Sequence, residues 1–132
     1  MRTILTLTAM LLIAPLVSAS ACDISCKIEK ALKGDGAAAF EVAQESRVTQ
    51  TPEIVAHWLQ ISAENGNAAG QWEYGLSLVE NSKSRYDCIR TIYWFRQAGQ
   101  NGNAAAATAL GKVEYFLETH PEPIMEGCRD AL

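Results

Sequence analysis

Apolar residues along the chain return at three- and four-residue intervals, and polar or glycine-containing breaks separate them. Over 23–33, Ile24, Ile28, Ala31 and Leu32 hold helical spacing, and Gly34-Asp35-Gly36 closes the stretch. A second helix is predicted from 37 to about 46, with Phe40, Val42 and Ala43 inward. Thr51-Pro52 reads as an N-cap followed by proline at the first helical position. The third helix runs from there to about Asn65, its apolar stripe being Ile54, Val55, Trp58, Leu59 and Ile61, and Gly66 supplies a left-handed stop. Asn67 caps a fourth helix reaching about Asn81, with Trp72, Tyr74, Leu76 and Leu78. The polar run 81–85 reads as the main loop. Asp87 is expected to cap a fifth helix containing Ile89, Ile92, Tyr93, Trp94, Phe95 and Ala98, ending at Gly102. A sixth spans 103–119 with Leu110, Val113, Phe116 and Leu117, and Pro123 opens a short last helix holding Met125 and Cys128. No stretch alternates apolar and polar residues convincingly, so the expected class is all-α, with six or seven helices and no sheet.

The breaks themselves repeat. Asn65-Gly66-Asn67-Ala68-Ala69 returns as Asn101-Gly102-Asn103-Ala104-Ala105, 36 residues later, and Trp58 and Trp94 share that offset. A fixed period of this length marks stacked helical hairpins, an α-solenoid in which each unit buries its apolar face only against its neighbours.

Residues 1–21 stand apart. Arg2, an apolar stretch over 4–17 and Ala19-Ser20-Ala21 have the order of a secretory signal peptide. The expected cut follows Ala21, or alternatively Ala19; the former leaves one 111-residue domain, 22–132. Its expected units are a degenerate repeat over 22–51, repeats over 52–85 and 86–120, and a cap over 121–132. The expected location is therefore periplasmic or secreted. A membrane partner follows only if Cys22 is lipidated; Ala19 stands where bacterial lipoprotein signals usually carry Leu. Removing Arg2 leaves 10 basic against 15 acidic residues, a net charge of −5, and no basic run. That balance argues against nucleic acid, whose phosphates require concentrated Lys and Arg.

Four cysteines, Cys22, Cys26, Cys88 and Cys128, allow two disulfides in three connectivities. A zinc site is the rival, but no CxxC pair exists, and His57 and His120 stand away from the cysteines. No metal, cofactor or catalytic residue is therefore assigned. His57 occupies the place of Tyr93 in the next repeat, which makes it a repeat-surface residue before a general base. Glu41 and Glu73 hold equivalent positions, as a carboxylate row or simply as two solvated acids.

The run Thr91-Ile92-Tyr93-Trp94-Phe95-Arg96-Gln97-Ala98-Gly99-Gln100-Asn101-Gly102-Asn103-Ala104-Ala105-Ala106, closing with Leu110-Gly111, resembles a Sel-one-like repeat, a relative of the tetratricopeptide repeat. Trp58-Leu59, Ser62-Ala63, Glu64-Asn65-Gly66, Gly70 and Tyr74-Gly75 form an earlier copy. At an offset of 32, Ala31, Gly34-Asp35 and Phe40-Glu41-Val42-Ala43 form a degenerate one. The resemblance spans about 28–111. In its register Gly70, Gly75, Ala106 and Gly111 let helices approach closely. The usual Gly-x-Gly-Val loop is replaced by 81–85.

The same register favours Cys22–Cys26 near the mature N-terminus and Cys88–Cys128 at the terminal cap, with Cys26–Cys88 the main rival. A four-residue spacing inside an α-helix would require local unwinding. The resemblance implies a protein-binding adaptor of the bacterial envelope, or more narrowly an immunity or inhibitor protein against an exported toxin. Glu41, Trp72, Glu73, Ser77, Lys112 and Tyr115 are the candidate partner-binding residues. One alternative is an enzyme of β-lactam-binding type. Its cysteine-rich relatives carry a cysteine pair in every repeat, and this chain does not. The other is a self-assembling structural repeat.

Overall fold

The computed structural model describes residues 22–80 and 85–119. They form six α-helices: α1 (Ile24–Leu32), α2 (Gly36–Ser46), α3 (Pro52–Glu64), α4 (Ala68–Glu80), α5 (Arg85–Gln100) and α6 (Ala104–Thr119). No strand occurs among the described residues. Each helix packs against the next, and α2 also touches α4 across α3. The protein is all-α and solenoid-like, three antiparallel helix pairs stacked in chain order. The expected signal segment, residues 81–84 of the expected 81–85 loop and the expected last helix from Pro123 lie outside the described residues; Arg85, expected in that loop, belongs to α5.

One corner is built three times. Gly34, Gly66 and Gly102 have φ of 93°, 79° and 92°, a region that costs other residues a clash with their own carbonyl. At the middle corner the Gly66 N–H donates to Ala63 O at 3.0 Å and the Asn67 N–H donates to Ser62 O at 3.1 Å, closing α3 with the paired bonds of a Schellman stop. Asn67 then starts α4, its Oδ1 accepting from the Gly70 N–H at 2.8 Å. Asn103 does the same between α5 and α6, and Asp35 between α1 and α2. A single Asx residue thus finishes one helix and caps the next, and that is why the Gly-Asx pair recurs. Gly34-Asp35-Gly36, expected to end a helix, also begins one.

The leading asparagine of the phrase differs between copies: Asn65 Nδ2 donates back to Ile61 O of α3 at 2.8 Å, whereas Asn101 links units. Asn101 Nδ2 donates to Gln71 Oε1 at 2.9 Å, and the buried Gln71 donates to Ala63 O at 3.2 Å. Small residues set the spacing. The Ser62 hydroxyl, fully buried, donates to Gly36 O at 2.7 Å, and a Cβ on Gly70 would lie 2.1 Å from its Oγ. A Cβ on Gly75 would lie 2.6 Å from the Phe95 ring. Gly111 differs from expectation. It is exposed with nothing within 4 Å, so it permits no close approach.

Ala39, Val42, Ala43, Leu59, Tyr74 and Phe95 belong to the buried interior, with Trp58, Trp72 and Trp94 half-buried beside it. Several residues of the helices' apolar periodicity face out. Leu32 is 73% exposed, and Ile54, Ile89 and Tyr93 are also exposed. Helices α3 and α5 are packed on two sides and have a wide apolar arc, whose edges keep the periodicity while facing solvent. Leu32 lies on α1, which among the described helices packs chiefly against α2 and leaves its far side open. Thr51 occupies the N-cap of α3 with Pro52 after it, but its side chain makes no capping bond. Asp87 is not a cap: α5 begins at Arg85, so Asp87 falls in its first turn, its backbone carbonyl accepting from Thr91 Oγ1 at 3.0 Å.

The Cys22–Cys26 disulfide is present. It unwinds nothing, because α1 starts at Ile24 and Cys22 precedes the N-cap Asp23, whose Oδ1 accepts from the Cys26 N–H at 2.9 Å. Cys88, buried in α5, is also disulfide-bonded. That excludes the Cys26–Cys88 rival, since Cys26 pairs with Cys22. Cys128, the expected mate of Cys88, lies outside the described residues. No described helix is long and apolar enough to cross a membrane.

Candidate functional site

A groove runs along α3 and α4, and Arg47 and Gln50 of the turn between α2 and α3 also line it. The groove has a volume of about 710 Å³. This lies within the size range of small-molecule and peptide-side-chain sites. Val55 and Leu59 from α3 and Tyr74 and Leu76 from α4 form apolar walls. The antiparallel pairing forced by the Gly66-Asn67 corner sets the ends apart. Pro52, Glu53 and Glu80 lie at the open mouth, and Gln60 and Trp72 lie toward the corner.

Trp72 and Tyr74 are held from behind by α5. The Trp72 ring lies 4.6 Å from that of Phe95, and Tyr74 meets Trp94 edge-on at 5.6 Å. Arg90 donates to the Tyr74 hydroxyl, with its guanidinium 5.5 Å from that ring. The side of the groove carries an ion pair: Glu73 accepts from Arg47, and from Gln44 Nε2 at 2.9 Å. Glu53, in the first turn of α3, has its carboxyl held below the ordinary range by a hydrogen bond from the Thr51 hydroxyl and then by its own backbone N–H.

Of the six expected partner-binding residues, Trp72, Glu73 and Ser77 come together on the groove. Glu41 does not join them. It pairs with Lys27 of α1 at 2.9 Å, and Glu45 binds the same ammonium. Those two carboxylates, Glu45 first, raise the Lys27 pKa. Glu41 and Glu73 thus each carry a cation rather than forming an open carboxylate row. Lys112 and Tyr115 are exposed on α6, away from the groove. His57 is exposed on the groove wall.

Arg47, Glu53 and Glu80 escaped the sequence reading. Arg47 lies in a turn, outside any periodicity. Glu53 and Glu80 were recoverable only by pairing the start of α3 with the end of α4. Among the described residues no group of three or more His, Cys, Asp or Glu side chains is placed to hold a metal ion. Comparisons with protein-family models, curated proteins and solved structures give no match.

Proposed function

We propose that the chain is an exported protein–protein interaction module of Sel-one-like type, working in the bacterial envelope as an adaptor or as an immunity protein. The observation that carries this reading is the α3–α4 groove. Its rigid apolar walls, half-buried tryptophan and polar rim are the features of a site that anchors a partner's side chains. The repeated corners support the same reading, because stacked helix pairs present such surfaces on a scaffold that moves little on binding.

The test is affinity capture from envelope extract with the oxidised chain, comparing wild type with two variants. Ala56→Trp fills the groove from its wall, and Tyr115→Ala changes a surface away from it. A stoichiometric partner retained by Tyr115→Ala and lost by Ala56→Trp, with helical content unchanged, is the expected result. Recovery of self-associated chain alone, or of a partner indifferent to Ala56→Trp, overturns the proposal.

A further inference from the structure

Among the described residues that line the groove, carboxylates outnumber cations. Its lining includes Arg47, Glu53, Glu73 and Glu80, and Arg47 is already engaged by Glu73. Among the described residues neither Glu53 nor Glu80 has a cationic partner, and both stand at the open mouth. The chain's net charge of −4 acts in the same direction at longer range. At the other end the groove is apolar and aromatic. From Glu53 to Gln60 along α3 is seven residues, about 10 Å at 1.5 Å per residue, and from Glu80 to Trp72 along α4 about 12 Å.

We infer that the groove takes a basic segment of a partner protein, with a Lys or Arg at the Glu53–Glu80 mouth and an aromatic or branched aliphatic side chain against Trp72, about 10 Å away. A helical segment meets that spacing with the two residues seven positions apart, and an extended one with three. The inference rests on the interaction-module reading and adds the partner's chemistry. A cation at the mouth gains attraction to two groove-lining carboxylates that have no cationic partner among the described residues. An acidic segment would add a third like charge to them.

Panning a displayed library of short random peptides against the oxidised chain tests this directly. Enriched peptides are expected to combine Lys or Arg with an aromatic or branched aliphatic residue. Their affinity is expected to fall about tenfold or more on going from about 0.01 M to about 1 M salt, as the Debye length contracts from roughly 30 to 3 Å. Glu53→Lys with Glu80→Lys is expected to reduce it comparably at low salt. Glu80→Lys alone gives a second variant at an exposed position, where a substitution disturbs no packing.

Neutral or acidic peptides that Ala56→Trp displaces would overturn the charge inference and leave the interaction module standing. So would basic peptides indifferent to both charge reversals but displaced by Ala56→Trp. No enrichment over the bare support, or peptides indifferent to Ala56→Trp, would overturn both.

Discussion

Gly70→Ala tests how closely the helix pairs are locked. The added Cβ would lie 2.1 Å from Ser62 Oγ, 2.6 Å from Ser62 Cβ and 3.2 Å from the Ala63 nitrogen. The hydroxyl can rotate away only by abandoning Gly36 O. The Ser62 Cβ is fixed by its backbone, so α3 and α4 must separate by most of an ångström. Overpacking of this kind costs about 1–3 kcal/mol, and the lost hydrogen bond about 1 kcal/mol more. Alanine's better helix propensity returns up to about 1 kcal/mol. The expected net loss is about 2 kcal/mol, which at a urea m-value of about 2 kcal/mol/M lowers the midpoint by roughly 1 M. Gly111→Ala, with open space around its Cβ, is expected to stabilise by about 0.5–1 kcal/mol. Adding Ser62→Gly to Gly70→Ala removes both clashing atoms and should recover part of the loss. Equal midpoints for Gly70→Ala and Gly111→Ala would refute the close approach of α3 and α4.

Three further expectations concern local chemistry. Asn67→Ala leaves the Gly70 N–H uncapped and should cost about 1 kcal/mol in urea unfolding, as should Asn103→Ala at the next corner. Cys22→Ser with Cys26→Ser opens a very short loop, so the expected loss is about 2 kcal/mol or less. In hydrogen exchange its effect should be concentrated in α1. Glu53's lowered pKa favours the fold above the ordinary carboxyl value, and that contribution disappears as pH falls through the lowered one. NMR titration should therefore show the Glu53 pKa rise in Thr51→Val. Lys27 has the opposite sign: its raised pKa favours the fold below the ordinary lysine value and is lost as pH climbs through the raised one.

What the sequence disclosed was local chemistry. A glycine at positive φ followed by an Asx cap is specified within about six residues, so the corners at Gly66-Asn67 and Gly102-Asn103 were legible, and with them the stack of pairs. The start of α5 was not, because Asp87 suits a first helical turn as well as a cap. Leu32, Ile54 and Ile89 satisfy the helical period yet face solvent. Periodicity marks an arc and cannot say where the neighbouring helix ends. Cys22–Cys26 seemed to require unwinding only because the first helix was started before Ile24. Trp72, Glu73 and Ser77 lie on one helix and could be grouped from sequence. Glu53, Glu80 and Arg47 join them only through the α2–α3 turn and the antiparallel pairing of α3 with α4, which no single stretch of sequence contains.

The measurement that bears most directly on the α3–α4 groove as a binding site is hydrogen exchange on the oxidised chain, free and saturated with its captured partner or with an enriched peptide. The account predicts added protection along 52–60 and 72–80, with little change on α6 around Lys112 and Tyr115. Protection concentrated on α6 or α1, with the groove unchanged, would contradict it.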